Sequence, residues 1–163
     1  MRTVLAAAFM MILSVPALGQ HHNHVKQGTA KPTVSVTGEL KRILSANDEL
    51  FEALLGKDQG KVESAAASLL NELSAISSPE LKHLTQGQAL ATIKKENTKT
   101  RNLESYSKFM SHLAPALKVT KVDGYAVYFC PMIQREWVQN EKRHAGVRNV
   151  FAQDMLECGE RIK

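Results

Sequence analysis

Apolar positions recur at helical spacing through the middle of the chain. Leu40, Ile43, Leu44, Leu50, Phe51, Leu54 and Leu55 form one stripe, and Val62, Ala65, Ala66, Leu69, Leu70, Leu73 and Ile76 form a second. Gly56 is a natural stop between them, and Asp58 can cap the second helix. Ser78-Pro79 sets a capping side chain before a proline at the first helical position. The third segment it opens, carrying Leu81, Leu84, Leu90 and Ile93, is less clearly amphipathic. A fourth stripe follows Asn97 or Thr98 with Leu103, Tyr106, Met110, Leu113 and Leu117, and Pro115 is expected to end or kink it. Four such segments on short connections predict an all-α fold, an antiparallel four-helix bundle with Tyr106 and Met110 in its core.

The pattern changes after Leu117. Val119 to Val122 and Tyr125 to Phe129 flank Asp123-Gly124, a hairpin signal. Gln134 to Val147 is polar around Trp137 and reads as loop with some helix, and Val150 to Cys158 as a last short helix. This small C-terminal hairpin, loop and short-helix extension cannot fold alone, so it is expected to pack on the bundle.

The N-terminal end belongs to neither part. Arg2, an apolar run from Val4 to Val15 and the small-residue end Ala17-Leu18-Gly19 have the form of a secretory signal over residues 1–19, with a competing cleavage site at Val15-Pro16-Ala17. Residues 20–35 read as a flexible, histidine-containing tail, and residues 36–163 as the helical domain with its extension. The apolar run is short for a membrane span, and no later segment is long enough, so no stable span is expected after signal cleavage. Cleavage leaves 144 residues, enough for one domain with a real core. It lowers the net charge from +5 to +4, a modest excess without the clustered basic face that nucleic acid requires. The expected location is periplasmic or secreted, where two cysteines can pair.

The candidate chemistry is sulfur. Cys130-Pro131-Met132 and Met155-Leu156-Glu157-Cys158-Gly159 hold the only two cysteines, each with a methionine two or three residues away. An i, i+2 pair shares a face in an extended segment and an i, i+3 pair does so in a helix, so each cluster can present two sulfurs to one point. Thiolate and thioether together favour Cu(I) over hard cations, which makes Cys130, Met132, Met155 and Cys158 a candidate copper site. The same cysteines can be a plain disulfide, closing a loop of 29 residues worth roughly 3–4 kcal/mol. The two states are compatible if the site is redox-controlled.

His21, His22 and His24 add a second candidate site in the tail. With cleavage after Gly19, His22 is the third residue, and the amine, two amides and its imidazole make a square-planar set for Cu(II) or Ni(II). Cyclisation of Gln20 or the earlier cleavage would remove it, and a solvated polar tail is the plain alternative. His83, His112 and His144 are scattered and expected at the surface, and Glu136, Glu141 and Glu157 on a solvated face. No nucleophile motif, phosphate-binding glycine loop or His-Glu-x-x-His is present, so an enzyme is not expected.

The words Tyr128-Phe129-Cys130-Pro131-Met132, Trp137, Arg148-Asn149 and Met155-Leu156-Glu157-Cys158-Gly159 resemble a bacterial exported domain family of unknown function. Related domains occur attached to membrane-fusion subunits of copper and other heavy-metal efflux systems. The resemblance covers roughly Leu40 to Glu160 and includes Leu50, Leu54, Leu55, Asp58, Ala65, Ala66, Leu69 and Leu70. Val150 stands where the family has proline, and the glycine before Met155-Leu156 is missing, which bears on loop geometry and not on the sulfur pair. The resemblance implies metal handling in the periplasm, with a metal-efflux component as a partner. The expected function is a soft-metal, copper-like binding accessory. The alternative is a non-enzymatic interaction module whose cysteines form only a structural disulfide.

Overall fold

The computed structural model describes residues 35–163 apart from Gly87. Among them, three α-helices and a three-stranded antiparallel sheet make a mixed α and β fold, not the all-α four-helix bundle that the hydrophobic pattern predicts. Helix α1 spans Val36–Leu55, α2 Gln59–Ser74 and α3 Lys99–Val119. The strands are β1 Tyr125–Cys130, β2 Arg135–Asn140 and β3 Glu160–Arg161, in spatial order β2-β1-β3.

The first two helices follow their stripes. Ser35 caps α1 by accepting from the Gly38 N–H, and Asp58 caps α2 by accepting from the N–H groups of Gly60 and Lys61. The short connection between them makes α1 and α2 antiparallel neighbours, with Arg42 of one paired to Glu72 of the other at 3.2 Å. Leu40, Ile43, Leu44, Leu50, Phe51 and Leu54 are buried against Val62, Ala66, Leu69 and Leu73 in one continuous core.

The third predicted helix is instead two stretches of 3-10 helix, Pro79–Gln86 and Gln88–Thr92. Its buried residues explain why. Leu81, Leu84, Leu90 and Ile93 all fall on one three-residue period, which matches three residues per turn and not 3.6. Asn102, fully buried in α3, fastens this segment. It donates to the Lys94 carbonyl and to Gln59, and accepts from the Lys94 N–H and from Asn97. Thr98 caps α3, which runs through Pro115 to Val119 instead of ending there. Tyr106, Phe109, Met110, Leu113 and Leu117 line its buried face, against the 3-10 segment on one side and the sheet on the other.

The predicted hairpin is misplaced by one strand. Gly124 does sit in a turn, at φ +85°, but the turn joins α3 to β1. The hairpin partner of β1 is β2, with Tyr125 opposite Asn140 and Cys130 opposite Arg135. β2 lies in the segment predicted as loop because its sequence is polar. Gln139 is nonetheless fully buried, accepting from the Trp137 indole and the Arg148 N–H and donating to the Gly146 carbonyl. Asn140 donates to Asp48, as does the Tyr125 hydroxyl, so a buried carboxylate of α1 ties both hairpin strands to the helices. Burial pushes the Asp48 carboxyl up, against the opposing pull of these two donors. The predicted last helix is only a 3-10 turn at Gln153–Met155. His144 is mostly buried, its ring tilted against Phe51 at 5.6 Å between centroids with Nε2 2.6 Å from Glu52, rather than scattered on the surface.

Glu39 marks the opposite seam. Its carboxylate is buried in α1 and accepts from the Ser77 hydroxyl and from the N–H groups of Ser77 and Ser78, just before Pro79. These bonds hold its pKa down at about 2, led by the side chains of Ser77 and Ser78 and opposed by burial. Because the folded value lies below the ordinary 4.5, the stabilisation is full above about pH 4.5 and is lost as pH falls towards 2. Glu39→Gln should therefore cost on the order of 2 kcal/mol at neutral pH and flatten the acid limb of stability. Urea unfolding at pH 7 and pH 3 measures it; equal losses at both pH values would refute this role.

Candidate functional site

The two cysteines, 28 positions apart, meet at one corner of the sheet. Cys130 ends β1 and is fully buried. The chain then turns through Pro131–Gln134, with Gln134 in the left-handed region at φ 52°, and re-enters the sheet as β2. Cys158 arrives from the other side. β3 pairs antiparallel with β1, Phe129 opposite Glu160 and Tyr128 opposite Arg161. Continuing that register sets Gly159 opposite Cys130, with Cys158 beside it.

Three neighbours hold this arrangement. Gly159 adopts φ +147°, and a Cβ there would stand 2.5 Å from the Trp137 ring and 3.3 Å from the Phe129 carbonyl. Only glycine lets the chain pass so close to the indole, which itself stacks on Tyr128 at 5.8 Å between ring centroids. Asn149, fully buried, organises the loop before Cys158. Its side-chain oxygen accepts from the N–H groups of Phe151 and Ala152, its amide nitrogen donates to the Cys158 carbonyl at 2.8 Å, and its own N–H donates to the Leu156 carbonyl.

The result is a pair of free thiols that the β1–β3 register brings to one corner of the sheet, not covalently joined. Burial alone pushes the Cys130 thiol up. Hydrogen bonds from the Cys158 thiol, the N–H groups of Ile133 and Met132 and the Asn149 side chain together outweigh it and bring Cys130 below the ordinary thiol value. Cys158 moves the other way, because it donates to Cys130, because it is partly buried and because a charge on Cys130 repels its own ionisation. When the pair ionises, the first charge therefore falls on Cys130.

No family model, characterised protein or solved structure matches the chain.

Both methionines stand at this corner through their backbones. Met132 supplies an N–H to the Cys130 sulfur, and Met155 accepts from the Cys158 N–H at 2.9 Å. Their side chains are unusually open for large apolar groups, 70% exposed for Met132 and 39% for Met155. Among the described residues, no group of three or more His, Cys, Asp and Glu side chains is placed to hold a metal ion. His21, His22 and His24 lie outside the described residues. Glu136 pairs with Lys118 at 2.7 Å, and Glu141 with Arg161 and the Tyr128 hydroxyl, so two of the three glutamates brace the sheet. Asn149 is the positioning residue that spacing and composition do not reveal. An Asn between Val147 and Val150 carries no periodic signal.

Gly159→Ala should be costly for a residue two positions from a strand end. Strain at positive φ and overlap with the indole together predict a loss on the order of 3 kcal/mol. Urea unfolding would read the loss, and near-ultraviolet circular dichroism would read the displaced Trp137. An unchanged midpoint with an unchanged aromatic spectrum would refute the close packing of Gly159 on Trp137.

Proposed function

We propose that this chain binds a soft monovalent metal ion, copper(I) foremost, through Cys130 and Cys158, as an accessory in periplasmic metal handling. The observation that carries the reading is the juxtaposition of the two thiols by the β1–β3 register, with donors around Cys130 that favour its thiolate. Metal binding by cysteine requires the thiolate, so donors that favour that form lower the cost of loading. Two sulfurs at one point suit the two- or three-coordinate preference of a soft d10 ion, and hard cations gain little from such a pair. The open thioethers of Met132 and Met155 are available to complete coordination or to receive the ion first. The resemblance of the Cys-Pro-Met and Met-Leu-x-Cys-Gly words to domains attached to metal-efflux subunits supports the same class of cargo. The signal-like N-terminal segment supports the location.

Competition for Cu(I) against a chromophoric chelator, on reduced mature protein, tests the proposal. The double change Cys130→Ser with Cys158→Ser should abolish competitive binding. Met132→Leu with Met155→Leu keeps volume and apolar character at exposed positions, so stability should change by less than about 1.5 kcal/mol while Cu(I) affinity falls by roughly tenfold. If both double mutants hold Cu(I) as well as the parent, the sulfur corner is not a metal site, and the interaction-module reading takes its place.

A further inference from the structure

The two sulfurs differ in access more than in any other respect. Cys130 is fully buried at the end of β1. Cys158 is partly exposed and set beside it by the pairing of β3 with β1. A molecule arriving from solvent therefore meets Cys158 first, and Cys130 lies behind it within reach of whatever Cys158 becomes. We infer that the pair is a thiol–disulfide exchange site for a small dialkyl disulfide, with Cys158 as the entry sulfur and Cys130 as the sulfur that completes the exchange.

The chemistry balances without further reactants. The Cys158 sulfur loses its proton to solvent and attacks one sulfur of the external disulfide, whose leaving thiolate takes up a proton in turn. A mixed disulfide forms at Cys158, and one small thiolate departs. The Cys130 sulfur then attacks the Cys158 sulfur, breaking the mixed disulfide and releasing the second thiolate, which takes up the proton that Cys130 gives up. The protein gives up two electrons and two protons and gains one S–S bond; the external disulfide becomes two thiols. Asn149 holds the Cys158 carbonyl at 2.8 Å and the β1–β3 pairing sets Cys158 beside Cys130, so the second attack needs side-chain rotation rather than loop opening.

The inference does not depend on metal binding, but it gives the proposed site a control. An oxidised pair has no thiolate to offer, so oxidation would release bound Cu(I), and a bound ion would shield both sulfurs from exchange.

The test uses the whole mature chain, reduced and stripped of metal, with glutathione disulfide as the probe. Mass spectrometry of acid-quenched time points should show a transient glutathione adduct, then an internally oxidised chain two hydrogens lighter. Cys130→Ser should stop at a stable adduct on Cys158. Cys158→Ser should react about tenfold or more slowly, because its remaining sulfur is buried. Peptide mapping of the parent chain at early time points assigns the adduct without any variant, so a poorly folded mutant does not decide the matter. Early adduct on Cys130, equal rates for the two variants, or a parent chain that keeps its adduct would each overturn the inference. The outcomes separate from those of the metal proposal. Exchange without Cu(I) binding supports this inference and removes the other, and Cu(I) binding without exchange does the reverse.

Discussion

Two rungs of antiparallel pairing, Phe129 with Glu160 and Tyr128 with Arg161, decide where the end of the described chain lies. Without them the last residues of the segment after β2, past the Asn149 loop, lose their place on the sheet. The segment is short, mostly irregular, and buries few large apolar side chains, chiefly Val150 with Val147 and Phe151 beside it. Once β3 is zipped to β1, Gly159 must pass over the Trp137 ring, and Cys158 must come down beside Cys130. The Asn149 hydrogen bonds then have fixed targets. Backbone pairing thus precedes the side-chain site in the order of causes, and the sulfur contact is a product of register.

A second regularity is that buried polar side chains stand at the seams between elements. Glu39 joins α1 to the 3-10 segment, Asp48 joins α1 to β1 and β2, Asn102 joins α3 to the loop before it and to α2, and Gln139 and Asn149 join the sheet to the C-terminal loops. Each has its partners in place. A buried polar group left without them costs roughly 1–3 kcal/mol, so such residues specify one mutual arrangement of the elements more sharply than apolar contact does. Asn47 departs from this pattern in part: its oxygen accepts from the Tyr106 hydroxyl while its amide nitrogen is buried without a partner.

The apolar stripes of α1, α2 and α3 were legible because burial on one face of a helix leaves a 3.6-residue signature. The 3-10 segment was legible in principle, since Leu81, Leu84, Leu90 and Ile93 keep a period of three, but a segment is easily read as a poor α-helix when its period is not counted. β2 was not legible. Its buried Gln139 and half-buried Asn140 are neutralised by hydrogen bonds to partners far along the chain or in a later loop, and polarity alone says loop. Asp123-Gly124 announced a turn without saying which strand would follow it. The cysteines and methionines announced a sulfur site by composition. The access difference between Cys130 and Cys158, and the part played by Asn149, depend on long-range register that no local spacing encodes.

The packing of Gly159 on Trp137 gives the molecule a built-in optical reporter. Trp137 is the chain's single tryptophan, it is fully buried, and the residue touching its ring is covalently next to Cys158. Indole emission responds to nearby thiols, to disulfides and to bound heavy ions, and here no other indole dilutes the signal. Changes at the sulfur corner are therefore readable from the unlabelled protein, through a chromophore placed there by the same close approach that only a glycine permits.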